Sequence, residues 1–191
     1  HAAVAEYNQD RQKKGFHPIG LGVGLHIGDL MLGIIGHQKR MQGTVVADAV
    51  NLASRLEGLT RVYGSSITIS EPTLAQLGNP DRYKHRFVDK VQVKGKKAPV
   101  SVHEVFDSDP PAVIELKEQT KDDFEEGLCL YYDRKFSEAS VKFNQVLEKH
   151  PEDRAARIYL KRSANYMVNG VPEDWTGVEI LTQKEWLIFE D

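Results

Sequence analysis

Very little in these 191 residues speaks for a secreted, membrane-spanning or nucleic-acid-binding protein. Cysteine occurs once, as Cys129, so no internal disulfide can form, which fits a reducing compartment and an expected cytoplasmic location. No apolar run approaches the roughly 20 residues of a membrane helix. The opening His1-Ala-Ala-Val-Ala-Glu6 lacks the architecture of a signal peptide. Neither sign of charge dominates: 25 Lys and Arg stand against 28 Asp and Glu, a formal net charge of -3. That balance gives no electrostatic case for nucleic acid or an anionic lipid surface. Two phosphate-binding signatures are also missing. Gly20, Gly22 and Gly24 are spaced G-x-G-x-G rather than G-x-G-x-x-G, no helix opens behind them, and no G-K-[ST] follows a Walker-type spacing.

What is present suits one domain with a small appendage. Residues 1–14 read as a helix already in progress, with Lys13 and Lys14 at its negative end and Gly15 as its stop. The front of the domain is therefore expected upstream of His1. Residues 19–28 alternate as a strand, with Ile19, Leu21, Val23, Leu25 and Ile27 on one face and Gly20, Gly22, Gly24 and His26 on the other. A glycine face calls for close approach of another group to the backbone, packing being favoured over a ligand, and His26 reads as a half-buried strand residue. Gly28-Asp29 is a hairpin signal returning the chain into a second strand, Leu30 to Ile35, with His37 to Arg40 as a polar loop.

The stretch Thr44-Val-Val-Ala-Asp-Ala-Val-Asn-Leu-Ala-Ser-Arg-Leu-Glu-Gly58 then has helical periodicity. Val45, Ala49, Leu52, Leu56 and Leu59 form its apolar stripe, while Asp48, Asn51 and Arg55 share a second face, with Thr44 in register if the helix starts that early. An amide and a guanidinium one turn apart suit a nucleotide, since Asn donates and accepts at a sugar and Arg presents a fork of donors to phosphoryl oxygens. An ordinary solvated helix face accounts for the same spacing. A strand at 66–69, a short helix started by Ser70 with Pro72 in its first turn, and a hairpin of strands 87–93 and 100–106 around Lys94 to Pro99 complete an α+β sandwich with an antiparallel sheet.

Asp107-Ser-Asp-Pro-Pro111 marks a boundary. Beyond it, Gly127, Phe136, Ala139, Phe143 and Pro151 resemble one tetratricopeptide repeat. Helices are expected at 121–133, 137–149 and 152–168, leaning on the preceding domain or on a second chain, because a single repeat cannot bury both faces. The tail, with Trp175, Trp186 and Phe189, is expected to dock. The divisions are thus 1–106, a linker at 107–120, helices at 121–169 and a tail at 170–191.

The run from Thr44 to Thr60, preceded by Gly24-Leu-His-Ile-Gly-Asp-Leu-Met-Leu-Gly-Ile-Ile-Gly36 and followed by Val93-Lys-Gly-Lys96, resembles the C-terminal half of a class III adenylate or guanylate cyclase catalytic domain. The resemblance implies a ferredoxin-like α+β fold, incomplete at its N-terminus, acting on ATP. It implies that Asn51 holds the ribose and aligns its 3′-hydroxyl, and that Arg55 stabilises the charge building on the phosphoryl oxygens. Lys94 matches a lysine that reaches the triphosphate, although a solvated hairpin lysine is the plain reading of the same residue. Thr44 falls at the base-selecting position, where threonine resembles the adenylate-specific bacterial subgroup. Ala47 replaces a family glycine and Gly43 an aromatic, both as tolerated variants.

The family's two metal-binding aspartates, for paired Mg²⁺ or Mn²⁺, and its base-reading lysine are expected upstream. Neither Asp29 nor Asp48 can stand in for them, so these residues alone are expected to be inactive. Family architecture implies a homodimer with two equivalent shared sites, and the helical end suggests a protein partner. The cytoplasmic expectation leaves room for a membrane tether through the upstream region. Two alternatives stand beside the adenylate cyclase reading: a non-catalytic dimerisation module, and a guanylate cyclase, against which Thr44 argues.

Overall fold

A computed structural model of the chain describes residues 1–37, 40–46, 48–92 and 98–178, with 32–37 and 40–46 described through their backbone alone. Expectations placed on Ala47, Lys94, Trp186 and Phe189 lie outside the described residues.

Helix α1 spans Ala2–Lys13, and just past its end Gly15 takes φ +77, the left-handed position that glycine adopts without steric cost. Strand β1 is only Val23–Leu25, shorter than the alternation predicts. Its apolar face is turned outward, with Ile19, Leu21, Leu25 and Ile27 all exposed. Strand β2 is Met31–His37 and β3 is Arg40–Val46. Helix α2 is Asp48–Tyr63, β4 is Ile67–Ser70 and α3 is Glu71–Ala75. Ser70 caps α3 as expected, its side chain accepting from Thr73 N, with Pro72 in the first turn. Strands β5 (His85–Val91) and β6 (Val100–Val105) form the expected antiparallel pair.

Three expectations about this half are corrected. Gly28-Asp29 does not fold β1 back on β2. The chain after β1 is held by the start of α3 instead, where His26 Nδ1 lies 2.7 Å from Ser70 Oγ and Ile27 N donates to Thr73 Oγ1 at 3.0 Å. The hairpin is formed by β2 and β3, paired antiparallel from Met31↔Val46 to His37↔Arg40. Thr44 and Val45 therefore sit in a strand rather than a helix; the β-branched run Thr44-Val45-Val46 favours extended backbone, and the helix starts at Asp48.

The third correction concerns the sheet. β1, β4, β6 and β5 form it in that order, with β1 parallel to β4 and the other neighbours antiparallel. The fold is α+β as expected, but the sheet is mixed, because β1 and β4 are joined through a connection containing α2, which brings the chain back in the same direction.

Helix α4 runs Pro111–Tyr132, so residues 111–120, expected as linker, are its first half. Pro111 starts the helix, since proline at the first helical position sacrifices no hydrogen bond. Helices α5 (Phe136–Lys149) and α6 (Arg154–Asn169) fall close to the expected ranges. A Cβ on Gly127 would come within 2.8 Å of the Phe143 ring, so the missing side chain is what lets α4 and α5 approach. Trp175 packs on Tyr131, Phe136 and Tyr166, and Arg134 donates to the carbonyls of Glu173 and Trp175 at 2.7 and 2.9 Å, so this part of the tail is docked.

One hydrophobic cluster joins both parts of the chain. It runs from Leu52, Leu56 and Leu59 of α2 through Val88 and Val102 of the sheet to Phe124, Phe143 and Tyr159 of the three later helices. Among the described residues no helix is long and apolar enough to cross a membrane.

Candidate active site

Helix α2 carries the candidate residues, and the glycine face of β1 fixes where it lies. An ideal Cβ on Gly24 would sit 2.2 Å from Glu57 N and 2.4 Å from Ala53 O; one on Gly22 would sit 2.1 Å from Thr60 Oγ1. The strand backbone is thus pressed directly on the helix, so the glycine face serves packing rather than a ligand. Thr68 of β4 adds a hydrogen bond from its Oγ1 to Leu56 O at 2.5 Å. With Leu52, Leu56 and Leu59 buried on this side, Asn51 is exposed and Arg55 half-buried on the other. Four residues of helix rise separate them by about 6 Å.

Arg55 is not a loose surface side chain. Its Nη1 donates to Gln92 O at 2.6 Å, just past the end of β5. A guanidinium has five N–H donors in a planar fork, so anchoring one orients the rest. The segment that begins one residue beyond Gln92 holds Lys94, outside the described residues. Thr44 is in β3, its backbone opposite Gly33 of β2, in the separate two-stranded sheet. The structure therefore brings Asn51 and Arg55 together on one face, places Thr44 on a different element, and leaves Lys94 undescribed.

Sequence reasoning missed the polar groups buried behind this helix. Asp89 of β5 is 1% exposed. Its Oδ2 accepts from Tyr63 Oη at 2.7 Å, and its Oδ1 accepts from Tyr159 Oη at 3.0 Å and Tyr132 Oη at 3.2 Å. Burial, and after it the Asp89 charge, push the phenols of Tyr63, Tyr132 and Tyr159 well above their ordinary pKa, so all three remain neutral donors. A second group centres on Arg86, which is paired with Glu104 and lies 2.7 Å from Asp153; Lys117 reaches Glu104 and Asp109, each at 2.8 Å. The available signal was two opposite charges, Arg86 and Asp89, flanking the apolar pair Phe87 and Val88 in a strand. Simple alternation would bury only one of them, whereas a register shift between Phe87 and Asp89 lets both turn inward.

Residues 2–105 match the family model described as the adenylate and guanylate cyclase catalytic domain. The chain belongs to that family. Among curated relatives of this cyclase domain, the terminal-differentiation-specific adenylate cyclase of Dictyostelium discoideum is 36% identical over 148 residues, 77% of this chain and 7% of that protein. The adenylate cyclase of Anabaena cylindrica is 41% identical over 108 residues, 54% of this chain and 22% of that protein. A solved guanylyl cyclase, Cya2, is similar at 35% identity, covering 55% of this chain and 51% of that one with a TM-score of 0.44. The chain thus spans less than a quarter of the length of these two curated relatives. The Dictyostelium match is longer than the segment 2–105, so it extends beyond the cyclase domain into the helices that follow.

The family uses divalent metal ions, and the residues at hand can be tested against that need. Among the described residues no group of three or more His, Cys, Asp or Glu side chains could hold a metal ion. Asp29 is exposed between β1 and β2, and Asp48 is exposed in the first turn of α2. These side chains do not fit a paired-ion centre.

Proposed function

We propose that this cyclase domain takes part in converting ATP to 3′,5′-cyclic AMP and pyrophosphate, and that it supplies the ribose-holding and charge-stabilising side of a site shared with a second catalytic domain. The observation that carries this reading is Asn51 and Arg55 one turn apart on the open face of α2, with Arg55 tied to the Gln92 carbonyl. The adenylate cyclase names of the curated relatives support ATP as the substrate.

In the reaction the ribose 3′-oxygen forms a bond to the α-phosphorus as the bond to the pyrophosphate oxygen breaks. Asn51 would hold the ribose so that this oxygen is in line, and orientation of that kind is worth several powers of ten in rate. Arg55 would meet the negative charge that grows on the phosphoryl oxygens with a donor already pointed, so little reorganisation is needed. Thr44 would read the adenine edge and Lys94 the triphosphate. The Mg²⁺ or Mn²⁺ chemistry belongs to carboxylates elsewhere in the native assembly, and on this reading the 191 residues do not turn over ATP by themselves. A second copy is the natural source of the other half-site, and the helices α4 to α6, with the small residue Gly127 against Phe143, would offer a tetratricopeptide-like face to a protein partner.

Arg55→Ala in the native protein tests the assignment. Loss of one pointed donor predicts a drop in kcat of about 100-fold or more, with circular dichroism unchanged. Unaltered turnover overturns the role of Arg55. A preference for GTP over ATP overturns that of Thr44.

A further inference from the structure

Three separate helices send a tyrosine hydroxyl to the same buried carboxylate. Tyr63 is the last residue of α2, Tyr132 the last of α4, and Tyr159 lies in the middle of α6. All three bond to Asp89, whose Oδ1 also accepts from Lys90 N at 2.7 Å. Tyr159 Oη additionally lies 2.9 Å from Val88 O, and its ring stacks on Tyr63 with centroids 6.3 Å apart and planes 3° from parallel.

Packing alone does not require this arrangement, because phenylalanine would fill the same space. What the hydroxyls add is a fixed relation between α2 and β5. Among the described residues, Tyr63 bonds to Asp89 within β5, and Arg55 bonds to the carbonyl of Gln92, one residue past the strand's end. Along β5 the two places are three residues apart, about 10 Å; along α2 they are eight residues apart, about 12 Å. Packing on β1 and β4 sets how closely α2 lies, and two polar links this far apart oppose its pivoting there.

We infer that Asp89 with Tyr63, Tyr132 and Tyr159 is a positioning device, through which helices α4 and α6 hold α2 on β5 and thereby set where Arg55 and Asn51 stand. This rests on the function proposed above for those two residues. All four are positioning residues, with Tyr63, Asp89 and Tyr159 buried. Their effect passes through the helix, and a displacement of about 1 Å at a reacting group can cost about 100-fold in rate. The helices after the cyclase domain thereby become part of its catalytic geometry rather than a separate attachment.

The test uses the native protein with Tyr132→Phe, Tyr159→Phe, both together, and Asp89→Asn. The phenylalanine variants keep the rings and remove only the donors, so they stay informative if Asp89→Asn fails to fold. The double variant is expected to lower kcat about tenfold while KM for ATP moves less than twofold. In an Arg55→Ala background its effect is expected to shrink to the part that passes through Asn51. Amide exchange across residues 51–59 is expected to quicken about tenfold, with β6 still protected. Wild-type kcat together with wild-type exchange in the double variant overturns the inference, as does a tenfold loss that persists when Arg55 and Asn51 are both replaced by alanine. If the unaltered protein cyclises no nucleotide but exchange in α2 still quickens, the functional reading fails and the positioning link to α2 stands.

Discussion

Gly24 shows at the scale of one residue how the site is placed. Its backbone lies against α2 so closely that a methyl group would overlap Glu57 N and Ala53 O, both main-chain atoms that cannot swing aside. Gly24→Ala is therefore expected to destabilise the fold by about 1–3 kcal/mol, the range for overpacking a filled interior, and to displace the helix that bears Asn51 and Arg55. Gly20 offers the control, because nothing lies within 4 Å of a Cβ built there, and Gly20→Ala should stay within about 0.5 kcal/mol. Equal melting temperatures for the two variants would contradict this account. The requirement for close packing was legible in the sequence, since glycine weakens a strand and a whole face of it is worth keeping only where another backbone comes close. That Asn51 and Arg55 share one face of α2 was legible too, through their spacing. The element that holds Thr44 was not, because the apolar periodicity of α2 continues by coincidence into Val45, and the β-branched residues that end β3 were read as the first turn of the helix.

At the scale of elements, the pairing of α4 with α5 depends on Gly127. Two effects oppose each other there. Replacing a mid-helix glycine by alanine gains up to about 1 kcal/mol in helix propensity. The new methyl would also meet the Phe143 ring at 2.8 Å, in a ring cluster that includes Phe124 and Tyr159. Overpacking at about 1–3 kcal/mol exceeds the propensity gain over most of that range, so Gly127→Ala is expected to lower the melting temperature; a rise would mean that α4 and α5 separate more easily than their packing implies. Helices α5 and α6 were readable because their apolar residues recur at helical spacing. The first half of α4 was not, since a double proline reads as an interruption until it is clear that Pro111 occupies the one turn where a missing N–H costs nothing. The Gly28-Asp29 hairpin failed for a related reason. A local turn signal competed with Ser70 and Thr73, which lie more than 40 residues away and bind the chain just before it.

Across the whole molecule, the buried charges bind the sheet to the later helices. Arg86 of β5, Glu104 of β6, Lys117 of α4 and Asp153 at the start of α6 form a continuous group together with Asp109. Asp153 also caps α6, accepting from Ala156 N at 3.0 Å. Burial works against its charge, but the Arg86 guanidinium more than offsets this and holds the carboxyl well below the usual aspartate range. Lys117 is likewise shifted upward, burial being outweighed by Glu104 and Asp109. In acid the unfolded chain takes up the Asp153 proton first, at about pH 3.9, while the folded carboxyl still resists it. The stabilisation from Asp153 is thus complete above that value and drains away as pH falls toward the lower folded pKa. For Lys117 the order reverses: its stabilisation is complete below about pH 10.4 and is lost as pH rises through the higher folded value. Because Arg86 and Lys117 join strands to helices rather than residues within either, the loss in acid should loosen the two parts together. Calorimetry from pH 7 down to pH 2 is expected to show a falling melting temperature with one cooperative transition throughout. Two separated transitions, with the cyclase domain melting apart from α4 to α6, would mean that these charges and the shared core do not couple the parts. The helices could not then hold α2 in place.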